Sequence, residues 1–249
     1  MVEKSPIKFV MMKQKTLIII PGWGGSHETW AKFMDLARPH FKDVVCIDLP
    51  CFGGNACPKT VWGVEQYSEY VKRKLEKMPE EGRVIVGHSF GGQVSAHLVA
   101  NNPGICEKYV LYAGAVFRPK RPIRRAFFWV IAKTGKILFR LHVIENIGVW
   151  AKKVLYKTAG SPDYSKTSGI QQEIFKKIIR QDLSLELPKI KVPTLIVWGT
   201  LDRYVPLKDG KRARQLIAES RLEVVAGAGH GIHLSHGEKL LQIIESFVQ

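Results

Sequence analysis

The stretch Arg83-Val-Ile-Val-Gly-His-Ser-Phe-Gly-Gly92 constrains the fold of this chain more than any other. Val84 to Val86 form a short apolar run that reads as a buried strand. It ends in Gly87-His-Ser-Phe-Gly91, and a helical pattern begins at once through Gln93, Val94, Ala96, Leu98 and Val99. A serine in a G-x-S-x-G sequence between a strand and a helix sits on a sharp elbow. The turn pushes its hydroxyl out of the chain path at a helix N-terminus, and the flanking glycines allow close packing of strand on helix.

The rest of the chain supplies what such an elbow needs around it. Apolar runs at Thr16–Ile20, Val44–Ile47, Tyr109–Ala113, Pro193–Trp198 and Leu222–Val225 read as further strands. Ile7 to Met12 suffices for one short edge strand. Amphipathic segments lie between the runs: a helix after Ser26, which suits an N-cap, one over Val64–Lys77, one over Asp209–Ile217 and a last one over Ser235–Val248. Strands that alternate with helices build a mostly parallel sheet with helices on both faces. Residues 117–186 interrupt the alternation with a helical, basic and aromatic segment. The expected organisation is therefore a core of residues 1–116 and 187–249 carrying 117–186 as an inserted helical cap.

Charge is concentrated in that insertion. The chain carries 38 Lys and Arg against 22 Asp and Glu, a net +16. Residues 117–180 alone contribute +12, with 15 basic residues against Glu145, Asp163 and Glu173. Pro122 suits the first turn of a helix whose apolar side carries Ala126, Phe127, Val130, Ile131, Ile137 and Leu138. Arg125, Lys133, Lys136 and Arg140 line the other side, with Trp129 among them. This pattern fits a cap with a solvated basic face. It also fits a surface that docks an acidic carrier protein or an anionic membrane surface, with Trp129 as an interfacial anchor. No recognition motif accompanies the charge, which argues against nucleic acid.

The longest apolar run, Ala126 to Ala132, has seven residues, far short of a membrane span. The N-terminus lacks the apolar core of a secretory signal, so a cytoplasmic protein is the expectation. Cys46, Cys51, Cys57 and Cys106 show no metal-ligand spacing and are too few for a disulfide framework. Free thiols are expected, a Cys51–Cys57 pair being the one conceivable bridge. Neither metal nor cofactor is called for.

A serine hydroxyl needs a base within hydrogen-bond reach, and the base needs an orienting acid. In this topology both come from loops after later strands, in the order serine, acid, histidine. Asp202 follows the strand ending at Trp198, and His230 follows the strand ending at Val225. Ser89, Asp202 and His230 are thus the candidate catalytic residues. His233 and His236 are competitors for the base, although their place at the start of the last helix suits a surface or capping role. The oxyanion of an acyl-transfer intermediate requires two N–H donors. Phe90, directly after the serine, and Trp23, in the turn Pro21-Gly-Trp-Gly24, are the candidates. His88, Phe117, Phe127 and Trp129 are the candidate pocket residues.

Taken together, Pro21-Gly-Trp-Gly24, Asp48-Leu-Pro-Cys-Phe-Gly53, Gly87-His-Ser-Phe-Gly-Gly92, the stretch Pro193 to Asp202 and Gly227-Ala-Gly-His230 resemble the α/β-hydrolase superfamily. The resemblance is to its serine-nucleophile, esterase- or lipase-like branch with a cap domain, and it covers nearly the whole chain. It implies an α/β-hydrolase fold and an acyl-enzyme on Ser89. The implied substrate is a small ester or lactone with an apolar acyl part, cleaved by a carboxylesterase or lactonase. A weaker likeness of Pro21-Gly-Trp-Gly-Gly25 to pimeloyl carrier-protein methyl esterases implies a carrier-bound ester. A carbon–carbon bond hydrolase and a non-catalytic ligand-binding member of the fold remain alternatives. Three departures stand out: Pro21 where histidine is frequent, Cys51 where glycine is usual, and a short N-terminal region.

Overall fold

The computed structural model describes residues 14–118 and 169–249. The N-terminal edge strand expected at Ile7–Met12 and most of the cap insertion, 119–168 with Phe127 and Trp129, lie outside the described residues.

Six strands follow the apolar runs: β1 (Thr16–Ile20), β2 (Asp43–Cys46), β3 (Arg83–His88), β4 (Lys108–Tyr112), β5 (Thr194–Gly199) and β6 (Ser220–Val225). They form one sheet in the order β2-β1-β3-β4-β5-β6, and every pairing is parallel. The apolar texture of each run predicts its place. Every residue of β1, β3 and β5 is buried, as expected of strands covered on both faces, whereas the edge strands β2 and β6 are partly exposed.

Between the strands lie α1 (His27–Ala37), α2 (Val64–Leu75), α3 (Ser89–Asn101), α4 (Gly169–Ile178), α5 (Leu207–Leu216), α6 (Ile232–Ser235) and α7 (Gly237–Val248). No helix among the described residues is long and apolar enough to cross a membrane. Ser26 is the N-cap of α1, and the Thr29 hydroxyl accepts from the Ser26 N–H at 2.9 Å and donates to the Ser26 carbonyl at 2.8 Å. One buried cation ties α2 to the sheet. Arg83 donates from its guanidinium to the carbonyls of Leu75, Met78 and Pro79 at 2.6–2.7 Å. It thereby satisfies acceptors at and just beyond a helix C-terminus that would otherwise be orphaned.

Two expectations are corrected. The last helix, α7, lies where it is expected, but the short helix α6 precedes it, and the chain breaks at His236 (φ −140°, ψ 43°) between the two. That break leaves His233 on α6, buried rather than on the surface. Cys51 and Cys57, expected as free thiols, form a disulfide. The loop turns back through Gly53 and Gly54, both at positive φ, and the Cys51 N–H donates to the Ala56 carbonyl at 3.4 Å. The two Cα atoms are thereby brought within 4.2 Å, short enough for a bridge. Cys51 itself has φ 78°, which explains why glycine is usual there.

Candidate active site

Ser89 is the first residue of α3 and has φ 53°, a left-handed conformation that costs an L-residue about 1–2 kcal/mol. The elbow holds because its neighbours are glycine. A Cβ on Gly91 would come 2.1 Å from the Ile20 carbonyl oxygen, and one on Gly87 would come 1.9 Å from Ser95 Oγ. The helix therefore leaves β3 in van der Waals contact with the end of β1, a path closed to larger residues. The Ser89 carbonyl accepts from the Ala115 N–H at 3.0 Å, which fixes the far side of the turn.

The turn after β1 lies against the serine. A Cβ on Gly22 would come 3.1 Å from Ser89 Cβ and 3.1 Å from His88 Nδ1. The Gly25 N–H donates to the Gly22 carbonyl at 3.0 Å and closes this turn around Trp23. The indole of Trp23 meets Phe52, Phe90 and Phe175 edge-on, at centroid distances of 4.9, 5.5 and 4.9 Å. Phe90 also packs against Tyr67 at 5.1 Å. An aromatic wall thus stands beside the elbow. Its members Phe52, Tyr67 and Phe175 come from three separate segments, and nothing local in the sequence marks them as site residues. The N–H of Phe90 lies in the first turn of α3, where no intrahelical acceptor exists. Among the described residues, neither it nor the Trp23 N–H donates to another group of the protein.

Asp202 and His230 come together from the loops after β5 and β6. His230 Nδ1 lies 2.7 Å from Asp202 Oδ2, and the Asp202 side chain is wholly buried. The other carboxylate oxygen, Oδ1, accepts from the N–H groups of Tyr204 and Val205, both at 2.9 Å. An aspartate with both oxygens engaged has one orientation, so it presents a fixed acceptor to one ring nitrogen of the imidazole. Gly199 makes the approach possible, because a Cβ there would come 2.3 Å from the Ala228 carbonyl oxygen. The Tyr204 ring covers the imidazole at 5.2 Å. No hydrogen bond joins His230 to Ser89 Oγ among the described residues. Contacts between nucleophile and base are commonly long before substrate binds.

His88 is buried behind the serine and its ring lies 4.8 Å from that of His230. Burial, and then the neighbouring His230 and His233, hold it well below the usual histidine pKa, so it is neutral at pH 7. Burial and His230 push His233 down to about 4. Its ring stacks on Trp30 at 3.9 Å and 2°, while His236 is engaged with Ser235 Oγ at 2.8 Å. Phe117 is buried, with the Arg212 guanidinium 4.3 Å above its ring.

The elbow, its register in the parallel sheet and the strand-end loops agree with the model of the alpha/beta hydrolase family, which matches residues 17–243. The chain belongs to the alpha/beta hydrolase family. Relatives in this family span most of it. The chain is 27% identical to the uncharacterized hydrolase YugF of Bacillus subtilis (strain 168), over 95% of this chain and 90% of that one. It is 23% identical to a pimeloyl-[acyl-carrier protein] methyl ester esterase of Vibrio vulnificus (strain YJ016), over 93% of each. Among solved structures it is similar in fold to a serine hydrolase involved in carbazole degradation. That likeness has a TM-score of 0.67 at 19% identity and covers 95% of this chain and 91% of that one.

Proposed function

We propose that this member of the family is a serine hydrolase that cleaves carboxylic esters or lactones through an acyl-enzyme on Ser89. The observation that carries the reading is the 2.7 Å pair of His230 with the buried Asp202, together with the His230 carbonyl 3.1 Å from the ring of His88, the residue before the strained Ser89. Ser89 Oγ attacks the carbonyl carbon while His230 Nε2 takes the hydroxyl proton. Asp202 stabilises the imidazolium that forms. The tetrahedral oxyanion lies between the N–H groups of Trp23 and Phe90, each such donor contributing about 3 kcal/mol to the transition state. His230 then gives its proton to the leaving alkoxide. A water, deprotonated by the same imidazole, attacks the acyl-enzyme, and the imidazolium returns that proton to Ser89 Oγ as the acid leaves. Water is the only co-reactant these steps require.

The aromatic wall of Trp23, Phe52, Phe90 and Phe175 favours an apolar acyl group on the substrate. Covalent capture tests the mechanism. A fluorophosphonate should leave a single adduct on Ser89, located by peptide mass spectrometry, and an unmodified Ser89 under conditions that label a known serine esterase overturns the reading.

A second reading has one observation in its favour. An open groove of about 650 Å³ is lined by Lys176, Lys177 and Arg180 together with Glu173, Val61 and Gln181. Its cationic excess suits an acidic carrier protein that presents an acyl ester, and a relative named for such an ester supports the idea. Turnover of a carrier-bound ester should then fall steeply between about 50 and 200 mM salt while a neutral short ester is unaffected. Equal salt sensitivity of the two substrates removes the carrier.

A further inference from the structure

We propose that Tyr112 and His88 are positioning residues: together they clamp the backbone carbonyl of His230 and so keep its imidazole aligned between Asp202 and Ser89. The inference rests on the reading of His230 as the base.

The clamp is visible in the donors that converge on one oxygen. The Tyr112 hydroxyl donates to the His230 carbonyl at 2.9 Å, and His88 Nε2 lies 3.1 Å from the same oxygen. A carbonyl only accepts, so Nε2 carries the proton on the neutral His88 ring and Nδ1 is the bare nitrogen. Tyr112 and His88 are direct cross-strand partners at the ends of β4 and β3. Their rings lie 4.3 Å apart, so the two donors reach the loop from one rigid edge of the sheet.

The site needs such a device because the loop has little stiffness of its own. Gly229 and Gly231 flank His230, so no neighbouring side chain restrains the backbone there. Asp202 holds the imidazole at one ring nitrogen only. A second anchor on the backbone removes the remaining rotation about that contact. Tyr112 is itself fixed from behind: its oxygen accepts from the His233 N–H at 3.3 Å, with His233 Nδ1 at 3.2 Å. The stack of His233 on Trp30 locks α6 at this point. Burial keeps the Tyr112 hydroxyl protonated across the ordinary pH range, so the donor is always present.

Reacting groups displaced by about 1 Å can lose up to 100-fold in rate, so loss of one of two anchors should cost about tenfold. Tyr112→Phe keeps the ring and removes the donor to the His230 carbonyl together with the longer, 3.3 Å acceptor of the His233 N–H. It should lower kcat on a short ester, and the rate of fluorophosphonate labelling, about tenfold, with KM unchanged and the melting temperature close to that of the parent. His88→Phe should behave alike, and His88→Gln, whose amide N–H reaches the position of Nε2, should recover most of the loss.

The deciding measurement repeats Tyr112→Phe in a His230→Ala background. Labelling there is slow, and removing the clamp should slow it no further, because nothing is left to position. A tenfold loss that persists without His230 overturns the clamp, as does a Tyr112→Phe enzyme within twofold of the parent. Failure of the underlying reading looks different: the parent itself would not label at Ser89, or His230→Ala would label as fast as the parent.

Discussion

Replacing Ser89 by alanine should lower kcat for ester hydrolysis by about 10⁶ with no change of fold. The substitution removes one oxygen and nothing else. Alanine carries the same Cβ as serine, so it bears the same cost of the left-handed φ of 53° and the same contact with Gly22. The melting temperature of Ser89→Ala should therefore match that of the parent. Glycine at this position separates strain from chemistry. Ser89→Gly loses the nucleophile equally but relieves the left-handed backbone. After the larger chain entropy of glycine is subtracted, about 1 kcal/mol of stabilisation remains, or about 2 °C in melting temperature for a chain of this size. Ester turnover by Ser89→Ala within tenfold of the parent would remove Ser89 from the chemistry. A Ser89→Gly protein less stable than the parent would show that the elbow is not strained.

Asp202→Asn should lower kcat by about 10⁴ while preserving the architecture of the site. The reason lies in the two oxygens. Oδ1 accepts from the Tyr204 and Val205 N–H groups, and only an oxygen can do so. An asparagine must therefore keep its amide oxygen there and turn its NH₂ toward His230 Nδ1. The imidazole then has to accept at Nδ1, which moves its proton to Nε2, the nitrogen that faces the serine. A base with its lone pair on the wrong side cannot take the Ser89 proton. Steady-state kinetics with a chromogenic ester, beside a thermal melt, checks this. A loss under tenfold with an unaltered melt would mean that Asp202 does not set the tautomer.

The two predictions depend on features of different legibility. The elbow is local: glycine at 87 and 91, an apolar run before and helical spacing after are enough to place Ser89 at the start of a helix. The buried β1, β3 and β5 are equally local, because a strand covered on both faces must be apolar throughout. Asp202 and His230 follow from counting strands and reading what comes after each. By contrast, His233 reads as a surface histidine in front of a helix. It is buried because the break at His236 folds α6 back onto Trp30 of α1, some 200 residues earlier in the chain. The Cys51–Cys57 bridge was legible only as a conceivable pair, since whether it forms depends on a loop reversal set by backbone conformations at Cys51, Gly53 and Gly54.

Periodicity, glycine spacing and the order of strand-end residues were thus enough to determine the parallel α/β architecture and the candidate nucleophile, acid and base. Those signals are local, because they record how each segment buries its own surface. Only the tertiary structure decided which side chains meet around His230. Tyr112 reads as one more apolar strand residue until β4 is laid beside β3 in a register that pairs it with His88. Strand order and register arise from the packing of all the layers at once, and no single segment carries a record of them.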